Sequence, residues 1–277
     1  MTEAEITAAP GAKVDAETWE EGFEARSAGR AAYRSGWTRS YHEMLLLDRI
    51  YPRLMPDLQG RRLVEVGSAP GRHLVHLHRL FGVRPFGVEL TESGAELNRQ
   101  VFSQAGIDPA QVIRADFFDQ DFQEDHHRDF DVVLSRGFLE HFDDPAAVVD
   151  LHLNLLRPGG HLVVIIPNLR GVFGAWQRRF HPELLARHNL ETMRADVFGS
   201  LFERADLRRL YCGHYGTFDT WALSASPESS RFLHGCVHQL RRAQIPLNVG
   251  MRLLFGRRGF ETATFSPFLL FIGVYEP

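Results

Sequence analysis

Cysteine is nearly absent: 277 residues carry only Cys212 and Cys236, without metal-type spacing, so neither a disulfide scaffold nor a cysteine-built metal site is available. That usage fits a reducing compartment and structural burial. Long apolar runs are missing too. None approaches the ~20 residues of a membrane span, and Phe268–Tyr275 is a buried strand by length. The first thirty residues are acidic and Ala-rich and lack an apolar core of signal-peptide length. The expected location is therefore cytoplasmic. The net charge of −4 argues against nucleic acid as the main partner, and neither repeats nor low-complexity tracts occur. What is present, at 44% hydrophobic residues, suffices for one sizeable α/β core with insertions.

The most informative segment is Leu63-Val64-Glu65-Val66-Gly67-Ser68-Ala69-Pro70-Gly71, an apolar strand running into a small-residue turn, followed from Arg72 to Phe81 by helix-compatible residues. Gly67 and Gly71 let the backbone turn sharply and approach a ligand closely. A dinucleotide fingerprint requires small residues at the first, third and sixth positions of the turn. Counted from Gly67, the sixth is Arg72, which argues against an oxidoreductase of that class. What remains is Glu65-x-Gly67-x-x-x-Gly71, with an acid inside the strand.

Three more strands end in polar residues at regular intervals. Phe86–Leu90 places Glu89 where a carboxylate can accept from both hydroxyls of a ribose. Val112–Phe117 places Asp116 at a strand end, beside Phe117, a ring suited to packing on a base. Phe130–Ser135 is the fourth strand, and Leu156-Arg157-Pro158-Gly159-Gly160 turns into a fifth at His161–Pro167. Thr91 and Asp144-Pro145 are start signals for helices reaching about Gln104 and Leu156. This alternation implies a parallel sheet covered by helices on both faces.

Over residues 60 to 168 the motif order resembles that of the class I S-adenosylmethionine-dependent methyltransferases. The resemblance implies a Rossmann-like, doubly wound, seven-stranded, mostly parallel sheet with its last strand antiparallel, and S-adenosyl-L-methionine as cofactor. It assigns cofactor contacts to Glu65, Gly67, Ser68, Gly71, Glu89, Leu90, Asp116, Phe117, Ser135 and Arg136. Glu140-His141, after the fourth strand, resembles a pair found in many small-molecule enzymes of the family, including the ubiquinone-biosynthesis O-methyltransferases. His141 is thus the candidate general base for an O, N or S acceptor; alternatively its imidazole positions substrate or bonds to loop backbone. Glu140 is expected to stabilise the loop. In that subgroup an upstream Glu joins the pair at a divalent metal; here Gly137 occupies its position, and no metal ligands are assigned.

The expected organisation is a flexible leader (1–17), an N-terminal helical cap (18–58) ended near Pro52, and a catalytic domain (59–277) interrupted at about 168–191 and 217–258. Trp37, Tyr41 and His42 are either cofactor or substrate contacts or packing residues. In an open α/β sheet the loops at the carboxyl ends of strands wall the pocket. The first interruption, with Phe173, Trp176, Arg178, Arg179 and Phe180, is then a candidate cap for a small, planar or anionic acceptor. The second suits packing, homodimer contacts or substrate. A helix from Thr192 to Ala205 and a strand at Arg209–Gly213 lie between them, and a last strand spans Thr264–Tyr275. His73 and His76 share a helix face but lack further metal ligands; His126-His127 reads as a solvated loop, and His181 and His214 lie near the expected pocket wall. Competing readings are an RNA methyltransferase, for which this lysine-poor chain offers no catalytic lysine set, and a cofactor-binding scaffold without catalysis.

Overall fold

The computed structural model describes residues 11–24 and 40–277; Trp37 lies outside them. Helix α1 (Ala16–Glu24) comes first. After the undescribed segment, α2 (Tyr41–Leu45) runs through a π-helical turn at Leu46–Ile50 into α3 (Tyr51–Leu54). Pro52 does not end this helix. It sits in the first turn of α3, directly after the π-helical turn and inside one continuous helical run.

The alternating core follows as β1 (Arg62–Val66), α4 (Arg72–Phe81), β2 (Arg84–Glu89), α5 (Glu92–Ala105), β3 (Val112–Arg114), α6 (Gln120–Asp125), β4 (Phe130–Arg136), α7 (Pro145–Asn154) and β5 (Leu156–Pro167). Both expected starts are capped: the Thr91 hydroxyl accepts from Gly94 N and the Asp144 carboxylate from Ala147 N. Gly159 and Gly160 do not precede β5 but lie inside it, beside an irregular register between Phe130 and Val132. The remaining elements are α8 (Val172–Phe180), α9 (Pro182–Ala186), α10 (Ala195–Ser200), β6 (Leu207–Tyr215), α11 (Arg231–Phe255) and β7 (Phe268–Tyr275). The helix expected over 192–205 is only the short α10.

The strands form one sheet in the order β3-β2-β1-β4-β5-β7-β6. The pairs from β3 to β5 are parallel, while β7 runs antiparallel to both β5 and β6. The central strands, buried on both faces, are near-continuous apolar runs. One core cluster, with Val64, Val133, Val164 and Phe271, packs on one face; a second, with Leu63, Leu134, Val163 and Ile272, packs on the other. Alternation along each strand thus feeds both layers. The order reverses between β1 and β4, and the crevice at their carboxyl ends is where such sheets bind ligands.

Candidate active site

Two cavities open at that crevice, of about 480 and 470 Å³, and share Gly67, Ala69, Arg136 and Gly137 as a common wall. The first is lined by Glu89, Leu90, Asp116, Phe117, Phe118, Phe138 and Phe142 and covered by Trp19 and Phe23 of α1. Glu89 ends β2 with its carboxylate fixed in place: Oε1 accepts from Thr91 Oγ1 at 2.9 Å and Oε2 from Ala69 N at 3.2 Å. Burial nevertheless raises its pKa. Asp116 Oδ1 accepts from Phe118 N at 2.9 Å. The phenylalanines form an aromatic wall, with Phe117 edge-on to Phe138 at 5.5 Å between ring centroids. Acids at two strand ends and rings at the third fit a ribose and a purine.

The chain before α1 closes this cavity. Residues 11–17, expected to be a loose leader, are tied to the loop after β4: Lys13 N donates to His141 O at 2.8 Å, Asp143 N to Gly11 O at 3.0 Å, and Lys13 Nζ pairs with Asp143 at 2.7 Å.

The second cavity is lined by Glu43, Glu65, Ser68, Gly71, His73, Glu140, Tyr215 and Phe268. Burial pushes the Glu65 carboxyl up to about 7 despite the opposing charge of Arg136, and Glu140 up to about 8. Glu65 Oε2, Glu140 Oε2 and Arg136 Nε are buried without a hydrogen-bond partner. Such orphans are costly, and a zwitterionic amino-acid end offers groups complementary to an acid and an arginine. Desolvation works against the Arg136 cation, but the carboxylates of Glu65 and Glu43 nearby help raise its pKa overall. The residues present therefore fit the methionine end of S-adenosylmethionine at the shared wall.

Of the ten cofactor contacts assigned from sequence, Gly67, Glu89, Leu90, Asp116, Phe117 and Arg136 line the first cavity, and Glu65, Ser68 and Gly71 the second. Ser135 lines neither, since it is held inside the sheet between Val66 and Val164. Ser68 and Gly71 also have packing tasks. The Ser68 hydroxyl accepts from Asn98 Nδ2 at 2.6 Å, and at Gly71, with φ +79°, a Cβ would lie 1.8 Å from Asn98 Oδ1. Only glycine lets α4 start this close to α5.

His141 lines the first cavity rather than the second. Its Nδ1 donates to Arg187 O at 2.8 Å, leaving Nε2 as the acceptor, 3.8 Å from Glu140 Oε1. Burial, then neighbouring His188, lowers its pKa to about 4. Trp19 packs edge-on against the ring at 5.2 Å. Glu140, His141 and His188 present ligand atoms within 4.8 Å of one another, the one such trio among the described residues. Sequence reasoning missed His188, 47 positions away, and Glu43 and Tyr215, whose approach depends on how α2 and β6 pack.

The segment after β5 is not the aromatic and arginine-rich wall expected. Phe173 is in the core, Trp176 Nε1 donates to Ser224 O at 2.7 Å, and Arg178 and Arg179 are exposed. Its helices pack on the second interruption, as do Gln177, which donates to Ala222 O, and His181, bonded to Ser224. Neither His181 nor His214 lines either of these two cavities. Tyr41 is fully buried and donates to Gly256 O, and His42 bonds to Asp219 at 2.6 Å; both serve packing. His126 is half-buried against Phe122 and Phe130 rather than solvated.

Residues 39–211 match the family model described as a methyltransferase domain. The chain is 31% identical over 142 residues to the ubiquinone biosynthesis O-methyltransferase of Xylella fastidiosa, covering 48% of this chain and 55% of that protein. The counterpart in Neisseria meningitidis is 29% identical over 130 residues, covering 46% and 52%. The chain thus spans about half the length of the curated relatives it matches. The same fold occurs in geranyl diphosphate C-methyltransferase from Streptomyces coelicolor (TM-score 0.57, 14% identity, 94% and 97% of the two chains). It recurs in phosphoethanolamine N-methyltransferase 2 from Haemonchus contortus (TM-score 0.53, 14% identity, 85% and 53% of the two chains). With the motif order, the sheet order and a strand-end cavity lined by Glu89, Asp116 and Phe117 all in agreement, the chain belongs to the class I S-adenosylmethionine-dependent methyltransferases.

Proposed function

We propose that the protein transfers the methyl group of S-adenosylmethionine to an oxygen, nitrogen or sulfur atom of a small molecule held in the second cavity. The observation that carries this is the pairing of two cavities of similar size across one wall, one suited to adenosine and the other bearing titratable groups. The cofactor supplies an activated methyl on a sulfonium leaving group. The chain's contribution is alignment in a dry site and, for a protonated acceptor, removal of the proton.

The proton acceptor we assign is Glu140 rather than His141. Glu140 reaches the second cavity, its Oε2 has no partner, and its raised pKa suits a base working near neutrality. A neighbouring positive charge lowers a carboxyl pKa, so a bound sulfonium favours the ionised form. In the reaction the acceptor lone pair forms the new bond to carbon, the carbon–sulfur bond breaks, and the acceptor proton passes to Glu140. His141, with Nδ1 tied to Arg187, is a positioning residue beside it.

Labelled methyl transfer onto fractionated small-molecule extract, followed by identification of the product, tests the reading. A methylated small molecule is expected; label found only in RNA would overturn it. With Gly137 in place of an upstream acid, chelation is expected to leave turnover unchanged. Loss on chelation with recovery on adding a divalent ion would reassign Glu140, His141 and His188 as metal ligands.

A further inference from the structure

We propose that α11 docks the protein onto an anionic membrane surface. Between Glu228 and Glu261 the sequence has no acidic residue but contains Arg231, Arg241, Arg242, Arg252, Arg257 and Arg258, in a chain whose net charge is −4. Almost all of this stretch is one helix of 25 residues, about 37 Å long. Its inward face is committed: Gln244 Oε1 accepts from Thr220 N at 2.6 Å, Asn248 Oδ1 from Tyr41 N at 3.1 Å, and Met251 packs with Tyr41, Met44 and Leu45.

The outward side is not that of a soluble surface helix. Phe232, Leu253 and Leu254 are 81%, 73% and 78% exposed, and Leu247 and, beyond the helix, Phe260 are exposed too. At ~3.6 residues per turn, Phe232, Leu247, Leu253 and Leu254 fall within about a third of the circumference. Arg231 and Arg242 project beside that stripe and are exposed, as are Arg257 and Arg258 just past its end. An apolar stripe with arginines along one edge and just past its end, on a helix without an acidic residue, is the pattern of a helix lying in the lipid interface. No helix among the described residues is long and apolar enough to cross a membrane, so the contact is peripheral. The helix packs on α2, which carries Glu43 into the second cavity; docking sets that cavity one helix layer from the lipid.

Co-sedimentation of the full chain with phosphatidylcholine vesicles, with and without phosphatidylglycerol, tests this. Binding to the anionic vesicles only, released by salt, is expected. Leu253→Asp with Leu254→Asp, and separately Arg242→Glu with Arg257→Glu and Arg258→Glu, should each lower the bound fraction more than about tenfold. Thermal midpoint and S-adenosylmethionine affinity, which report folding and the cofactor site, should stay unchanged. Equal binding to neutral vesicles, or wild-type binding by either variant, would overturn the proposal. So would a dimer that Leu253→Asp with Leu254→Asp dissolves while vesicles are ignored, since the stripe would then be an interface between copies.

Discussion

The two cavities differ in how their walls are assembled. Apart from the α1 clasp, the first is built from consecutive strand ends, with Gly67 after β1, Glu89 closing β2 and Asp116 after β3. The second starts from Glu65, Ser68 and Gly71 at the β1 turn and adds Glu43 from α2, Glu140 from the loop after β4, Tyr215 from β6 and Phe268 from β7. The first also holds its key acid in three hydrogen bonds, at Glu89, whereas the second leaves Glu65 and Glu140 each with an unpartnered oxygen. A satisfied acid is a finished recognition group, while an orphaned one is poised to bind or take a proton. The cofactor side is therefore set by local chain geometry, and the acceptor side by long-range packing.

The sharpest way to break this division is Glu140→Gln. If Glu140 takes the acceptor proton, turnover should fall by about 10²- to 10⁴-fold, while S-adenosylmethionine affinity changes little. In the wild type kcat/KM should rise with pH toward about 8, the value of the buried carboxyl, because only the ionised form accepts a proton. Steady-state kinetics across pH checks both. A larger loss in His141→Ala than in Glu140→Gln would return the base role to the imidazole. On the cofactor side, Glu89→Ala should weaken S-adenosylmethionine binding about 10- to 100-fold, the scale of charge-assisted hydrogen bonds. Calorimetry that found no change would detach the first cavity from the cofactor.

This difference also explains what could be read from sequence. Glu65, Gly67, Glu89 and Asp116 are placed by strand termini and a fixed βα rhythm, so their spacing along the chain already encodes their convergence. Glu43, His188 and Tyr215 reach the site only once α2, the α9 loop and β6 have packed, and no local pattern marks that. Trp176 and Arg178 show the converse. An aromatic, arginine-rich insertion after β5 has the composition of a substrate cap, yet the partner of Trp176 is Ser224 of the second insertion. The clasp at residues 11–17 was hidden because two of its three ties are backbone to backbone, between Lys13 and His141 and between Gly11 and Asp143, and the third is a single ion pair between Lys13 and Asp143. Trp19→Ala measures what α1, which that clasp leads into, adds. Losing a ring that covers the first cavity and packs on His141 should weaken cofactor binding by about tenfold; unchanged affinity would leave α1 a spectator.

The smallest effect probes the orphaned acids through folding. Glu65 has a folded pKa of about 7, above the usual carboxyl value of 4.5, because burial disfavours its charge more than Arg136 favours it. Between these values the folded chain binds the proton that the unfolded chain has released, so stability falls as pH rises through this window. From pH 6 to pH 8 the cofactor-free wild type should lose roughly 1 kcal/mol relative to Glu65→Gln, whose amide cannot ionise. Urea unfolding of both proteins at the two pH values measures the difference. A gap that instead favours the wild type at pH 8 would mean that Arg136 and Glu65 form a stabilising ion pair without the cofactor. The wall between the cavities would then be a finished recognition element like Glu89, and the contrast between the two sides would rest on Glu140 alone.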